Sequence, residues 1–143
     1  MNKIKVLFLC TGNSCRSQMA EGWARHLKAD VIEPYSAGLE THGMNPYAVK
    51  VMKDAGVDIT NQHSKLMEDV LDIPFDYVVT VCDDAHERCP VFPKKAKVAH
   101  AGFDDPPKMA AACSLDADKL DCYRKVRDAI RRYVETLPES LEE

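Results

Sequence analysis

The chain has 143 residues, enough for one domain that buries about two-thirds of the surface exposed by its unfolded chain. Hydrophobic residues make up 45% of it and charged residues 29%, and its net charge of −4 argues against a nucleic-acid-binding protein, whose binding surface is basic. No apolar segment is long enough for a membrane span or a secretory signal. We therefore expect a single domain over residues 1–143, located in the cytoplasm, with neither a membrane nor a nucleic acid as its partner.

The N-terminal part of the chain predicts two strands separated by a helix. The apolar run from Ile4 to Leu9 is typical of a buried strand. Apolar residues at every fourth position between Ser17 and Lys28 form one stripe of an amphipathic helix. A second strand is predicted from Val31 to Ala37, and Pro34 places it at a sheet edge because proline cannot donate a backbone hydrogen bond.

The rest of the chain continues this alternation of helices and strands. The expected elements are, in order, a helix capped by Asn45-Pro46 that runs to Asp54, a short helix near Leu66–Leu71, strands at Tyr77–Val81 and Lys97–His100, and a helix at Asp121–Leu137. Alternating strands and helices form a parallel sheet that is covered on both faces, and ligands bind beyond the carboxyl ends of its strands. The sequence therefore predicts an α/β fold whose functional residues follow its strands.

The eight residues from Cys10 to Ser17, Cys-Thr-Gly-Asn-Ser-Cys-Arg-Ser, follow the first strand and lead into the first helix. The backbone amides of such a turn and the N-terminus of a helix favour a tetrahedral oxyanion, and Arg16 adds a bidentate clamp. The same positive field lowers the pKa of a thiol, so Cys10 is predicted to be a nucleophilic thiolate. The alternative interpretation is that Cys10 is only a buried cysteine at the end of a strand. The predicted oxyanion-binding residues are Thr11, Gly12, Asn13, Ser14, Cys15, Arg16 and Ser17.

Three residues of this loop are expected to support it without reacting. Asn13 tolerates left-handed backbone angles and can bind the backbone through its side chain. Ser17 either caps the helix or donates a hydrogen bond to the Cys10 sulfur. Cys15 is predicted to be a small, buried apolar residue without a catalytic role.

Two further cysteines, Cys82 and Cys89, follow the strand predicted at Tyr77–Val81. A phosphatase needs only one cysteine, because water hydrolyses its phospho-thiolate intermediate. A reductase needs two electrons to reduce its substrate, and resolving thiols supply them by forming a disulfide. Cys82, His86 and Cys89 could also supply three zinc ligands, but the fourth ligand is missing, so no metal site is predicted.

An acidic loop in the second half of the chain supplies a candidate general acid. Asp104 and Asp105 precede Pro106, which stiffens the loop, and a carboxylic acid there can protonate a leaving oxygen. Asp105 is favoured over Asp104, with an ordinary Asp turn as the alternative.

Cys113 and Cys122 have no anion-binding motif beside them and are expected to be free thiols. All five histidines are expected to be surface or structural residues.

Taken together, these motifs resemble those of the thioredoxin-coupled arsenate reductases, which share the fold of the low-molecular-weight protein tyrosine phosphatases. The resemblance runs from Ile4 to about Phe103 and resumes from Tyr123 to Tyr133. It is carried by Cys10–Trp23, Tyr35–Gly38, Thr41–Gly43 with Asn45-Pro46, the Cys82 and Cys89 pair, and Gly-Phe-Asp-Asp-Pro at 102–106. It implies a three-layer α/β/α sandwich on a four-stranded parallel sheet, and we expect a monomer.

The resemblance also implies a relay of three cysteines that detoxifies arsenic. Cys10 attacks arsenate, Arg16 and the loop amides stabilise the added negative charge, and Asp105 protonates the departing oxygen. Cys82 then attacks the Cys10–arsenic adduct, which releases arsenite and leaves a Cys10–Cys82 disulfide. Cys89 attacks Cys82 and frees Cys10. Reduced thioredoxin is the implied electron donor for the resulting Cys82–Cys89 disulfide, and no bound cofactor is implied.

The chain departs from the family pattern at several positions. Gln18 stands where the phosphatases usually carry proline, and Pro107 and Lys108 replace the aromatic residues that wall their phosphotyrosine ring. Some family members bind potassium beside the loop through Asn, Glu, Ser, Thr and Asp. Since His63 and Lys65 stand at the Thr and Asp positions, potassium binding is not predicted.

Two other functions stay open at this point. A phosphatase acting on phosphotyrosine or a small phosphate ester would need only Cys10, Arg16 and Asp105. A non-catalytic oxyanion-binding or thiol-sensing module would need only the loop. The Cys82 and Cys89 pair argues against the first, and the combined nucleophile, clamp and acid argue against the second.

Overall fold

The computed structural model describes residues 3–87 and 96–142 of the chain. Four strands form one sheet in the order β2-β1-β3-β4, and every pair of neighbours is parallel. The strands are β1 (Ile4–Cys10), β2 (Ile32–Gly38), β3 (Tyr77–Thr80) and β4 (Lys97–His100). Within the described residues β2 ends the strand order with β1 as its neighbouring strand, so the edge position predicted from Pro34 is confirmed.

Five α-helices accompany the sheet in the described part of the chain. They are α1 (Arg16–Lys28), α2 (Pro46–Asp54), α3 (Asp83–Glu87), α4 (Pro106–Ala110) and α5 (Asp116–Glu135), with short 3-10 turns at Met67–Val70 and Glu139–Leu141. Helix α5 packs against α1, α2 and α4. Consecutive residues of β1 from Val6 to Leu9 have no exposed surface, so protein covers both faces of the sheet. The predicted α/β class, a three-layer sandwich on a four-stranded parallel sheet, is confirmed.

Helix boundaries follow the capping residues. The side chain of Asn45 accepts hydrogen bonds from the amides of Tyr47 and Ala48 at 2.9 and 3.2 Å, with Pro46 at the first helical position. Gly56, with φ of 87°, follows the end of α2, where the left-handed conformation favours glycine.

The helices in the second half of the chain differ from the predicted elements, and the short helix α3 was not among them. Helix α5 begins at Asp116 rather than Asp121, because Asp116 and Asp118 place negative charge in its first turn. Helix α4 was not predicted, although Asp105-Pro106 repeats the cap-and-proline pattern of Asn45-Pro46. No helix in the described residues is long and apolar enough to cross a membrane.

Candidate active site

The loop between β1 and α1 is shaped by hydrogen bonds that it receives from outside. Three of its carbonyls accept backbone hydrogen bonds at 2.8–3.0 Å: Thr11 from Glu40, Gly12 from His42 and Ser14 from Asn45. The C=O and N–H of one trans peptide unit point in opposite directions, so outward carbonyls turn the following amides toward the concave side. A nest of inward amides at the start of a helix is the geometry that an oxyanion requires.

Asn13 fixes the turn from within. Its φ of 47° places it in the left-handed region, its Nδ2 donates to Ser17 Oγ at 2.8 Å, and its Oδ1 accepts from the amide of Lys65 at 2.8 Å. The Gln18 side chain donates to the Asn13 carbonyl at 3.0 Å. The expected supporting role of Asn13 is therefore confirmed, whereas Ser17 makes no capping hydrogen bond and instead accepts from Asn13.

Two glycines allow the segments around the loop to approach closely. A Cβ atom on Gly12 would overlap the imidazole of His42. A Cβ atom on Gly38 would lie 2.8 Å from the Thr11 carbonyl and 2.9 Å from the Asn13 amide. Gly38 therefore excludes larger residues because backbone atoms surround it, whereas a larger residue at Gly12 would displace the His42 side chain.

Arg16 links the loop to the segment that carries the candidate acid. Its Nη1 donates to the Phe103 carbonyl at 2.9 Å, and its Nη2 lies 3.9 Å from Asp105 Oδ2. Asp105 stands at the N-cap position of α4, but its side chain makes no capping hydrogen bond. Both Asp104 and Asp105 line a cavity of about 800 Å³ together with Arg16 and Cys82.

Cys82 lies against this loop at the carboxyl end of β3. Its Sγ accepts a hydrogen bond from the Ala85 amide and lies 3.4 Å from Thr11 Oγ1, and the Thr11 hydroxyl donates to Asp84 Oδ2 at 2.8 Å. Cys10, the residue before Thr11, is buried, and its thiol hydrogen-bonds with that of Cys82. The predicted nucleophile and the first predicted resolving thiol are thus adjacent in the structure.

The two thiols share one negative charge. Hydrogen bonds from Cys10, Thr11 and the Ala85 amide, with the positive charge of Arg16, lower the pKa of Cys82 to about 5. The hydrogen bond to Cys82, burial, and the charge on Cys82 raise the pKa of Cys10 well above its ordinary value, against the opposing effects of Arg16 and the Thr11 amide. The prediction of a lowered pKa for Cys10 is therefore wrong for the ligand-free protein, because the neighbouring thiolate outweighs the loop.

Cys15 behaves as expected from its sequence position. It is buried, and burial raises the pKa of its thiol to about 12. A thiol that stays protonated at neutral pH is a small apolar side chain and not a nucleophile.

A polar chain that was not predicted leads from β3 through β4 to the start of α3. Thr80 Oγ1 lies 2.8 Å from His100 Nδ1, and His100 Nε2 lies 3.1 Å from Asp83 Oδ1, at the first residue of α3. A Cβ on Gly102 would lie 3.0 Å from the same imidazole. His100 was expected to be a surface or structural residue. The signal that could have found it is its position at the carboxyl end of a strand, where Cys10 and Cys82 also lie.

A buried carboxylate lies beside the loop at the position discussed for potassium. Glu21 accepts hydrogen bonds from Ser36 at 2.6 Å and Arg25 at 2.7 Å, and Lys65 Nζ lies 3.8 Å from it. Burial lowers the pKa of Lys65 while the charge of Glu21 opposes this change. Among the residues at 3–87 and 96–142, no group of three or more His, Cys, Asp or Glu side chains could hold a metal ion.

The remaining predicted site residue, Cys89, lies outside the described residues, and so does part of the alternative zinc set of Cys82, His86 and Cys89. All other predicted site residues converge at the carboxyl ends of β1 and β3 and the start of α4.

Known proteins resemble this chain in sequence. The family model described as low molecular weight phosphotyrosine protein phosphatase matches residues 5–143. An arsenate reductase from Bacillus subtilis (strain 168) is 50% identical over 129 residues, which cover 90% of this chain and 90% of that protein.

Solved structures resemble it in fold. One, described as an arsenate reductase in the phosphate binding state, is 32% identical with a TM-score of 0.74, covering 94% of this chain and 95% of the other. The thioredoxin-dependent arsenate reductase of Corynebacterium glutamicum is 22% identical with a TM-score of 0.71, covering 99% of this chain and 63% of the other. At that identity the second likeness concerns the fold alone.

Proposed function

Because the chain belongs to the low molecular weight phosphotyrosine protein phosphatase family, and within it to the arsenate reductases, we propose that it reduces arsenate to arsenite. The resemblance inferred from its motifs is confirmed by these relatives. The proposed catalytic residues are Cys10, Cys82, Cys89, Arg16 and Asp105, and the oxyanion is bound by residues 11–17.

The observation that carries the proposal is the position of Cys82, which lines the same cavity as Arg16 and Asp105 and whose sulfur lies 3.4 Å from the hydroxyl of Thr11, the residue after Cys10. A phosphatase has no use for a second thiol at this point, whereas a reductase needs one within reach of its nucleophile. Thr11, which follows Cys10, contacts the Cys82 sulfur and keeps the two segments together.

The first step joins Cys10 to arsenic. The cysteine pair holds one proton, and its transfer from Cys10 to Cys82 makes Cys10 the nucleophile without a change in total charge. The Cys10 thiolate forms an S–As bond as one As–O bond breaks, and Asp105 protonates the departing oxygen so that water leaves. Arg16 and the inward amides stabilise the negative charge on the remaining oxygens.

The second step transfers the electrons. Cys82 attacks Cys10 Sγ, an S–S bond forms, and the electron pair of the S–As bond passes to arsenic, which leaves as arsenite with the Cys82 proton. Arsenic gains two electrons and the two thiols lose two. Cys89 then attacks Cys82, which frees Cys10 and leaves a Cys82–Cys89 disulfide.

Reduced thioredoxin is proposed to return the Cys82–Cys89 disulfide to thiols. Support comes from the resemblance of the motifs, the Cys82 and Cys89 pair among them, to the thioredoxin-coupled arsenate reductases. We further propose that residues 1–143 form one domain, that the enzyme works as a monomer in the cytoplasm, and that it needs no bound cofactor. All four strands share one sheet and one buried core, which supports the single domain.

The test uses reduced full-length protein and one equivalent of sodium arsenate without any reductant. We expect one arsenite per chain, a mass loss of two hydrogens, and a disulfide that maps to Cys82 and Cys89. The Cys89→Ser variant should release one arsenite and stop with Cys10 joined to Cys82. As a matched control, Cys122→Ser removes a thiol outside the relay and should keep the full yield. Full multiple-turnover arsenate reduction by Cys82→Ser with thioredoxin would contradict the relay.

A second candidate function is a weaker hydrolysis of small phosphate esters. Arg16 lies 3.9 Å from Asp105 and its charge lowers the pKa of Cys10, and a phosphatase needs these three residues without Cys82. The Cys82→Ser variant should therefore keep phosphate-ester hydrolysis while it loses arsenate turnover. Loss of ester hydrolysis in a folded Cys82→Ser variant would argue against this activity.

A further inference from the structure

One carbonyl of the oxyanion loop differs from its neighbours in the groups that hold it. The carbonyls of Gly12 and Ser14, on either side of it, accept hydrogen bonds from backbone amides. Within the described residues the Asn13 carbonyl instead accepts from two side chains, Gln18 Nε2 at 3.0 Å and Ser64 Oγ at 2.9 Å. A backbone amide is present in almost any sequence, whereas these two donors depend on which residues stand at positions 18 and 64.

The Ser64 hydroxyl contacts two consecutive carbonyls of the loop. Its Oγ lies 2.9 Å from the Gly12 oxygen and 2.9 Å from the Asn13 oxygen. A hydroxyl carries one proton, so the two carbonyls share it. Gly12 has a second donor in the His42 amide at 2.9 Å. The second donor of Asn13 is the Gln18 side chain, which makes Gln18 its main donor and Ser64 an additional, shared one.

Partners on both polar atoms hold the Gln18 side chain in this orientation. The side chain is completely buried. Its Nε2 also donates to the His63 carbonyl at 3.0 Å, and its Oε1 accepts from Gln62 Nε2 at 2.8 Å. Turning the amide group over would place its oxygen against two carbonyl oxygens, so the donor side is fixed toward Asn13.

The orientation of the Asn13 carbonyl decides where the next amide points. The C=O of Asn13 and the N–H of Ser14 belong to one trans peptide unit and point in opposite directions. A carbonyl that is held outward therefore turns the Ser14 amide toward the concave side of the loop. The φ of Asn13 is 47°, a conformation that costs free energy for residues other than glycine, and the two donors on its carbonyl oppose relaxation of this turn.

We propose that Gln18 and Ser64 are positioning residues that set the oxyanion affinity of the loop by keeping the Ser14 amide aimed at the bound anion. The amide is aligned before the anion arrives, so binding does not have to supply the free energy that orders the peptide. The amide contacts the anion in the ground state as well as during the reaction, so its loss should weaken binding more than it slows turnover of bound substrate. The consequence for arsenate rests on the proposed function, while the effect on phosphate binding does not.

The first test titrates the reduced full-length protein with sodium phosphate by isothermal titration calorimetry. Gln18→Met keeps the length of the side chain without its donor, and Ser64→Ala removes the shared hydroxyl. Phosphate affinity should fall by about ten- to a hundredfold in Gln18→Met, the effect of losing one hydrogen bond to a charged group, and by less in Ser64→Ala. Ser64→Thr keeps the hydroxyl and should bind phosphate as the parent does. The control is Ser140→Ala, which removes a hydroxyl that contacts Thr136 away from the loop and should not change phosphate affinity.

A second measurement separates the direction of the amide from a general loss of stability. In isotope-labelled protein well below its unfolding temperature, the NMR resonance of the Ser14 amide should shift when phosphate is added to the parent. The shift should be smaller in Ser64→Ala and restored in Ser64→Thr, which a merely structural role of the hydroxyl would not produce.

Ser64 is half-buried, so Ser64→Ala carries the test even if Gln18→Met does not fold. Parent-like phosphate affinity together with a parent-like Ser14 shift in Ser64→Ala would overturn the proposal. So would the absence of phosphate binding in the parent. A parent that binds phosphate but does not reduce arsenate would instead refute the reductase alone.

Discussion

The hydroxyl of Thr11 lies 3.4 Å from Sγ of Cys82 and joins the oxyanion loop to the second cysteine. Thr11 directly follows Cys10, and the same hydroxyl donates to Asp84 at the start of α3. One side chain therefore connects the segment of the nucleophile with the segment of the thiol that is proposed to attack it.

The Thr11 hydroxyl is expected to promote disulfide formation. Thr11→Val keeps the shape of the side chain and removes the hydroxyl, whose single proton is shared between Asp84 Oδ2 and the charged sulfur, so the pKa of Cys82 should rise. Loss of a hydrogen bond to a charged group lowers an equilibrium or rate constant by about 10- to 100-fold. Single-turnover arsenite release should slow by a similar factor. Thr11→Ser, which keeps the hydroxyl, should stay close to the parent rate. If Thr11→Val releases arsenite as fast as Thr11→Ser does, the Thr11 hydroxyl has no role in the mechanism.

Arg16 is expected to act through its geometry and not only through its charge. Arg16→Lys keeps one positive charge but loses the bidentate guanidinium and its bond to the Phe103 carbonyl. Removal of such a transition-state donor typically lowers kcat by about 10²–10³-fold, while circular dichroism should show an unchanged fold. Arg124→Lys, at a partly exposed ion pair with Asp121, serves as the control and should change little.

Asp105 is expected to be the general acid. It lies 3.9 Å from Arg16 and makes no capping hydrogen bond, whereas Asp104 is exposed. Asp105→Asn should slow the first chemical step by about 10²–10⁴-fold, measured as arsenic-adduct or arsenite formation in one turnover. Asp104→Asn should have a far smaller effect. Equal effects of both substitutions would contradict the assignment.

The shared charge of the thiol pair predicts how each sulfur titrates. In Cys82→Ser, the hydrogen bond and the charge that raise the pKa of Cys10 are gone, so the pKa of Cys10 should fall and its alkylation at neutral pH should become faster. Alkylation that is no faster in a folded Cys82→Ser variant would show that the two thiols do not share a charge.

The same pair predicts a pH dependence of stability. The pKa of Cys82 is lower in the folded chain than its ordinary value of 9.0. The unfolded chain therefore binds this proton more tightly, so the stabilisation grows between about pH 5 and pH 9. Above pH 9 the raised pKa of Cys10 acts in the opposite sense. Denaturant unfolding of the parent and Cys82→Ser across this range should show a difference that shrinks toward pH 5.

His100 is expected to position the helix that follows Cys82. His100→Ala removes the contact with Asp83, and a lost hydrogen bond of about 0.5–1.5 kcal/mol corresponds to a few-fold to ten-fold slower attack by Cys82. Because the proposed ester hydrolysis does not use Cys82, the residue directly before α3, it should change much less than single-turnover arsenite release. Substituting the exposed His26 by alanine should affect neither rate. Equal slowing of both reactions by His100→Ala would indicate a general structural role instead.

Local sequence patterns were sufficient for most of the fold. The continuous apolar run of β1, Pro34 at the edge strand and the cap at Asn45 act through neighbouring residues, so the sequence alone could predict them. Helix α4 was missed although Asp105-Pro106 carries the same local pattern, because the motif was interpreted only as an acid-bearing loop.

The sequence by itself determined which residues meet at the carboxyl ends of the strands, because Cys10 and Cys82 each follow an apolar run and parallel strands end at one edge. Only the tertiary structure decided how they share charge. The thiols of Cys10 and Cys82, and the hydroxyl of Thr11, come from segments more than 70 positions apart. Electrostatic interaction depends on distance and burial, which no local pattern specifies, so the raised pKa of Cys10 and the contact of His100 with Asp83 emerged only from the folded chain.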